Sequence, residues 1–589
     1  MAKNRFLALE RKLIRSAPSY RQMYKDFMNE YLGLGHMSHI TEYFSPCFFL
    51  PHHGVYREHS STTKLRVVFD ASAKSTSGKS LNDIQHIGPT LQNDLFSILL
   101  RFRQFKYVAC ADIEKMYRQI LIQPDQRNLQ LILWREDPSE PLGVFQLNTV
   151  TYGTASAPYL SIRCLKQLAL ECKDDVIAQV INDDFYVDDL ITGHQDQQKL
   201  LQICKDVSEV LESGCFSLRK WVFNSPSPQI EPLATSKEFT QGEHCHTKTL
   251  GMGWFHSSDE LYFTTKCDHD VTHATKRNIL SVIAQIYDPL GLLTPTIIIA
   301  KIILQKLWLC KIGWDDAVPT NILLNWQNFI TKLSNLKHIR IPRYVIRENS
   351  QLIELHIFCD ASQDAYGACA YIRSYTDAQL ISVKLLCAKS KVAPVKPVSV
   401  PRLELCGAVV AAKLFIKICN SLRLSFHKVY FWSDSTIVLG WLKMSPNLLK
   451  TFVQNRVVQI NELTGDKPWL HVADPNDLLP LSPAHFLIGR PLTAPASPDL
   501  TATATQRLPR YDRVEQMRQN FWHRWSTEYI SELQKRTKWQ LNQDTLTPDT
   551  LVVIKDDHLP PLKWRLGRVL QTFTGKDGIS RVATIKTAT

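Results

Sequence analysis

Two adjacent aspartates, Asp188 and Asp189, stand in the run VINDDFYVDDL at 180–190, whose Ile, Val, Phe, Tyr and Leu otherwise read as a buried β-hairpin. Desolvation and like-charge repulsion both make that placement costly. Two arrangements relieve the cost: a surface turn that faces the aspartates to water, or a divalent cation beside them. Asp112 ends a strand-like stretch, KYVACADIEKMYRQILI at 106–122, so one central sheet can bring all three carboxylates to neighbouring strand ends. Such a set can hold two Mg²⁺ (or Mn²⁺) ions, which position a triphosphate and activate a 3′-hydroxyl. Phosphoryl transfer needs mostly this kind of positioning and charge neutralisation. A second acidic set follows: Asp360 in IFCDAS on a strand, Glu404 in PRLEL near a helix start, and Asp434 in FWSDST at a strand end. An α/β sheet can gather these into another two-metal site, suited to hydrolysing a phosphodiester. An aspartic-protease reading of the Asp-Ala and Asp-Ser pairs is weaker, because neither carries the glycine of an Asp-Thr/Ser-Gly turn.

The elements that must position these residues follow from pattern. The 589 residues allow roughly three to five domains, and 44% hydrophobic with 21% charged residues describes an ordinary globular chain. A net charge of +13 favours a polyanionic partner, nucleic acid before an anionic membrane surface, with a merely solvated basic surface as the alternative. Fourteen cysteines without a CxxC pair suit reduced thiols in a cytosolic or nuclear protein. HCH at 244–246 and CDH at 267–269 match no usual zinc spacing. The apolar run at 290–310 contains a proline and two lysines and reads as a packed helix rather than a membrane span; no membrane association is expected. The first fifty or so residues read as basic helices. QLNTVTYGTASAPYLSIRCLKQLALEC reads as strand, small-residue turn and helix, and SLRKWVFNS places Lys220 in a short strand. From 236 to 345 come a strand or two and long apolar helices; from 352 β alternation returns, followed by a helix from Arg402 and the strand KVYFWSDS. The tail holds an amphipathic helix rich in Arg and Trp and closes with short strands.

The ordered motifs KLRVVFDAS, ADIEKMYRQI, TVTYGTASAPYLSIR, FYVDDL and SLRKW, between Lys64 and Trp221, resemble the reverse transcriptase of BEL/Pao-type LTR retrotransposons. Taken singly, Asp112 is as good a helix cap, Tyr117 a core residue and Arg66 a surface charge; their order carries the resemblance. It implies an α+β and α/β multidomain chain: a right-hand polymerase with fingers and palm, an RNase H-like α/β domain and a small C-terminal β-barrel. Asp112, Asp188 and Asp189 are then metal ligands, and Arg66, helped by Lys64, reaches the triphosphate. Tyr117 falls where the family excludes a ribose 2′-hydroxyl, and Tyr152, Gly153 and Pro158 line the template and nucleotide pocket. Lys220 is a candidate proton donor to pyrophosphate, with a plain salt bridge as the equal alternative. Asp360, Glu404 and Asp434 correspond to three of the four RNase H acidic ligands. The implied partners are RNA template, DNA primer, RNA/DNA hybrid and dNTPs, with a homodimer left open. The implied location is cytoplasmic, in virus-like particles, with nuclear entry.

The expected organisation is a basic helical leader at 1–48, fingers and palm at 49–235, and a thumb or connection at 236–345 that resembles the region catalogued as Pao retrotransposon peptidase. An RNase H-like domain follows at 346–472. After KPWLHV the family continues to a fourth acidic residue, but this chain reads ADPNDLLPLSPAHFLIGRPLT, which resembles the segment after an integrase core. That segment is assigned to 473–505, and 506–589 resembles the integrase-associated C-terminal domain with its SH3-like barrel. An internal deletion near 472 accounts for the junction, with Asp477 as a degenerate fourth ligand the alternative. Arg518, Trp522, Arg524 and Trp525 suit either nucleic-acid binding or simple packing. Templated DNA synthesis with impaired RNase H is thus the expected activity, and integrase and protease activity are not expected. A catalytically silent nucleic-acid-binding remnant is the rival.

Overall fold

The structure is a computed structural model that describes residues 1–57, 64–225, 246–264, 274–376, 381–472, 516–517, 520, 548–554, 565–574 and 580–587. It packs as two compact units: residues 1–354, 371–388 and 416–427 form the first, and 355–370, 389–415 and 428–589 the second.

In the first unit, helices Ala2–Arg15 and Pro18–Gly33 open the chain, the second with proline in its first turn, where a missing N–H costs nothing. Tyr24, Met28 and Tyr31 recur at helical spacing and are fully buried, in one core with Val67 and Phe69 of the antiparallel hairpin His52–Tyr56/Leu65–Phe69. Beside it lies a three-stranded antiparallel sheet in the order Met37–Ile40, Gly143–Leu147, Leu131–Trp134.

The sheet that matters for chemistry has the order Phe185–Tyr186, Asp189–His194, Tyr107–Ile113, Leu218–Phe223, with all neighbours antiparallel. Helices Ala157–Glu171 and Gln197–Ser213 bury Ile162, Leu165, Leu200, Cys204 and Val207 in the core shared with Ala109, Ala111 and Leu190 of this sheet. The expected hairpin therefore exists, but only from Phe185 onward. Val180 to Asp183 finish a helix, Asp175–Asp183, whose Asp174 side chain accepts the Val176 and Ile177 amides. Further on, strands at 246–249, 252–255, 260–262 and 340–342 make a four-stranded sheet beside helices Lys276–Gln285, Thr294–Leu309 and Thr320–Leu333. The apolar 290–310 run thus supplies a packed helix, and among the described residues no helix is long and apolar enough to cross a membrane.

A five-stranded sheet has the order Ile381–Val392, Ala365–Tyr375, Leu352–Ala361, Lys428–Ser433, Trp469–His471, its last pair parallel. Helices Val400–Ser421, Thr436–Lys443 and Thr451–Thr464 accompany it. At the C-terminus, Leu551–Ile554, Arg565–Thr574 and Ser580–Thr587 form an antiparallel three-stranded sheet with two register shifts. The expected closed barrel is not formed by the described residues, which leave this sheet open. The 473–505 segment, Asp477, the Arg/Trp residues of the tail helix and the Cys and His of 244–245 and 267–269 lie outside the described residues.

Candidate nucleotidyl-transfer and nuclease sites

Strand pairing gathers the first carboxylate set. Asp112 lies directly opposite Asp189 across the two central strands, and on its other side it faces Arg219. Asp188 sits at the tip of a two-residue turn between Tyr186 and Asp189, and its carbonyl accepts the Ile113 amide at 2.9 Å. The other turn residue, Val187, has φ +57°, a conformation that a β-branched residue adopts only under strain. Its amide is held by Gln92 Oε1 at 3.1 Å. Burial pushes the Asp189 carboxyl up to about 7, with Asp188 and Asp112 adding repulsion. Burial also raises Asp188, again with Asp112 repulsion, while Arg66 and Lys220 oppose the shift.

An open cleft of about 580 Å³ runs over this sheet edge, lined by Asp112, Asp188, Arg66, Tyr117, Tyr152 and Lys220 among others. Lys220 Nζ is 3.1 Å from Asp112 Oδ2, so the salt-bridge reading of this lysine describes its observed contact. Tyr117 is half-buried on the short 3₁₀ turn Met116–Gln119, beside Asp188 and hydrogen-bonded to Ser161. Arg66, on the hairpin strand, is exposed and lines the cleft. Lys64 does not line the cleft; it is exposed at the hairpin mouth, where its carbonyl accepts the Arg57 amide. Tyr152 donates its hydroxyl to the Val67 carbonyl and so ties the small-residue turn to the hairpin. Gly153, at φ +98°, approaches so closely that a Cβ there would lie 2.9 Å from the Phe69 carbonyl. Pro158 begins helix Ala157–Glu171 and is exposed, away from the cleft lining.

Three further residues that the sequence reading did not single out hold this architecture. Asn82 donates to Gly153 O at 3.0 Å and accepts the Ala155 amide at 2.8 Å. Gln92 holds the strained turn. Arg118, buried, lines the cleft floor with Glu30 and Lys115.

The second carboxylate set sits in the second unit. Asp360 is near the end of strand Leu352–Ala361, Glu404 in the first turns of helix Val400–Ser421, and Asp434 one residue past strand Lys428–Ser433, as the pattern predicts. Gly407 lets helix and strand approach, since a Cβ there would lie 3.1 Å from the Asp360 carbonyl. Burial raises Asp360 to about 6, with Asp434 and Glu404 repelling its charge. Asp434 and Glu404 are likewise raised by burial; Ser435 hydrogen-bonds to Glu404, and His471 offsets part of the shift at Asp434. His471 comes next to Asp434 because its strand runs parallel to 428–433 with Ser433 opposite His471. Asp434 Oδ1 is buried and receives no hydrogen bond among the described residues. An unpaired buried carboxylate oxygen is costly, and a cation is the group that fits it.

Residues 275–435 match the model of the Pao retrotransposon-like RNaseH-like domain. The chain carries a Pao-type RNase H-like domain. That match runs from helix Lys276–Gln285 to Ser435, and so takes in the later part, 275–345, of the stretch that resembles the catalogued peptidase region and all three acidic residues of the second set. Residues 509–589 match a second model, a family of unknown function designated DUF5641. No curated protein matches the chain in sequence. Among solved structures, a foamy viral protease-reverse transcriptase in complex with double-stranded DNA is 15% identical with a TM-score of 0.50, covering 77% of this chain and 70% of its own. The same viral protein in complex with an RNA/DNA hybrid is 13% identical with a TM-score of 0.49, covering 97% of this chain and 63% of its own. At these identities the likeness is one of fold, and the fold is the α/β reverse transcriptase–RNase H type.

Among the described residues, no three His, Cys, Asp or Glu side chains close around one point as a metal cage would. Both expected ligand sets, Asp112–Asp188–Asp189 and Asp360–Glu404–Asp434, are brought to one sheet edge each but not closed into a cage.

Proposed function

We propose that the chain is an RNA-directed DNA polymerase of an LTR retrotransposon, extending a DNA primer with dNTPs on an RNA or DNA template. The observation that carries this reading is the cross-strand pair Asp112/Asp189, with Asp188 at the adjoining turn, on a cleft that also presents Arg66, Tyr117 and Lys220. Its basic net charge and its likeness in fold to a DNA-bound foamy viral enzyme support nucleic-acid partners.

Asp112, Asp188 and Asp189 would hold Mg²⁺, and the acid-raised state of Asp188 and Asp189 marks a site short of positive charge. When bound, the ions supply charge neutralisation for the triphosphate and acidify the primer 3′-hydroxyl. Arg66 draws the triphosphate from solvent by its free guanidinium. Tyr117, which lines the same cleft, would bound the sugar and exclude a 2′-hydroxyl. Lys220 would protonate the departing pyrophosphate after exchanging its Asp112 contact. The RNase H-like site would cleave the RNA strand of a hybrid through Asp360, Glu404 and Asp434.

Primer extension on a purified chain tests the assignment. Wild type should extend with Mg²⁺, and Asp188→Asn should abolish extension while template–primer binding stays within about twofold, since one carboxylate among many phosphate contacts is lost. Extension by Asp188→Asn at the wild-type rate would sink the ligand assignment. Binding without extension by the wild type would make the chain the silent nucleic-acid-binding remnant.

A further inference from the structure

The turn that carries Tyr117 is clamped from outside the palm. Glu30, near the end of helix Pro18–Gly33, places Oε1 2.7 Å from Lys115 Nζ and 3.2 Å from Arg118 Nη2. These two cations bracket Tyr117, so one carboxylate oxygen holds both flanks of the short 3₁₀ turn. Lys115 enters the turn at φ +52°, a strained conformation that needs an external hold. Arg118 is buried, with its guanidinium 4.3 Å from the Tyr31 ring centroid and its Nε donating to His36 Nδ1 at 2.8 Å. Burial, with Arg118 and Lys115 alongside, lowers His36 to about 4, so the ring is neutral and free to accept that bond. Glu30, Lys115, Tyr117 and Arg118 all line the cleft that holds Asp112 and Asp188.

We propose that Glu30 is a specificity-determining positioning residue: it fixes the Tyr117 turn and offsets part of the charge of two cations that would otherwise compete with Arg66 for the triphosphate. This deepens the polymerase reading and rests on it. The physical argument has two parts. A charged carboxylate shared by two donors makes charge-assisted bonds about twice as strong as neutral ones, so it is well suited to hold a strained turn. Without it, Lys115 and Arg118 present two cations against the single, more distant Glu114 carboxylate, 3.9 Å from Lys115 Nζ, a few residues from the catalytic aspartates, where a triphosphate bound in the wrong place is unproductive.

The test uses the full chain with template–primer. Ribonucleotide against deoxyribonucleotide selectivity is measured both as kcat/KM in extension and as competition for equilibrium nucleotide binding, which needs no turnover. Glu30→Gln should lose selectivity by about five- to tenfold, mostly through a raised KM for dNTP, the loss expected for removing a partly exposed ion pair. Glu30→Asp, which keeps the charge, should recover part of it, and Tyr117→Val provides the open-gate reference. Thermal unfolding separates the clamp from a folding role, because a merely structural Glu30 would lower stability and leave selectivity unchanged. Extension by Glu30→Gln with wild-type selectivity overturns the clamp and leaves the polymerase reading standing. Absence of wild-type extension together with absence of nucleotide binding overturns both, whereas selectivity loss seen in binding alone upholds the clamp and removes only the polymerase step.

Discussion

The Arg101 guanidinium lies 2.9 Å from the Asp184 carboxylate, and both side chains are sealed from solvent, at 4% and 1% exposure. Asp184 immediately precedes the strand that leads into Asp188. Its second oxygen accepts the Thr192 hydroxyl at 2.9 Å, its backbone carbonyl accepts the Ile191 amide, and Arg423 approaches Oδ1 at 3.1 Å. The base of the aspartate hairpin is therefore fixed by a buried ionic network, and its tip by Gln92.

Removing the centre of that network should be expensive. Asp184→Ala leaves Arg101 buried without its carboxylate, a situation that costs about 3–5 kcal/mol. Asp183→Ala removes a carboxylate that is 32% exposed on its side chain, and should cost under about 1 kcal/mol. Urea unfolding of both variants measures the difference. A loss below about 1 kcal/mol for Asp184→Ala would mean that the arginines find water once the carboxylate is gone.

The core that joins helix Pro18–Gly33 to the hairpin His52–Tyr56/Leu65–Phe69 carries a built-in acid sensitivity. His52 is buried, with Nε2–H donating to the Leu133 carbonyl at 3.0 Å and Nδ1 accepting the Tyr24 hydroxyl at 2.5 Å. Those two bonds select one neutral tautomer, and burial lowers the ring to about 4. The unfolded chain takes up this proton near 6.5 and the folded chain only near 4, so the stability contributed by neutral His52 is present above about 6.5 and is lost as pH falls toward 4. His52→Asn should remove roughly one proton from the pH dependence of unfolding between pH 4 and 6.5. An unchanged slope by urea titration across that window would show that His52 is not the responsible group.

Strand-end acids were legible because their neighbours alternate or run apolar up to the carboxylate: Asp112, Asp360 and Asp434 all sit where pattern places them. Val180 to Asp183 misled because Val and Ile favour strands, whereas the deciding features are the Asp174 cap and the helical spacing of Ile177, Val180 and Ile181. Glu30 and Gln92 carried no signal. Each reaches the site across a long sequence separation, from an element whose own pattern reports only which face is buried. Lys64, two positions from Arg66, falls at the hairpin mouth and is not among the residues that line the cleft.

The RNase H-like site should be the weaker of the two. Two ions need enough carboxylates to be held against their own repulsion. Asp360, Glu404 and Asp434 offer three, with Asp360 raised to about 6 and Asp434 Oδ1 unpaired among the described residues, which suits one ion. A second ion requires a further acid from the chain after His471, where the sequence reads ADPNDLLP and LSPAHF in place of the fourth acidic motif that the family resemblance leads one to expect. Cleavage of an RNA/DNA hybrid, with Asp434→Asn as background, should therefore run at least about tenfold below primer extension by the same preparation, the cost of a transition-state contact worth roughly 1.4 kcal/mol. His471, beside Asp434, should modulate but not replace the missing carboxylate, so His471→Ala should leave the ratio of the two activities low. Robust hydrolysis abolished by Asp477→Asn would instead install Asp477 as the fourth ligand and remove the case for a deletion near residue 472.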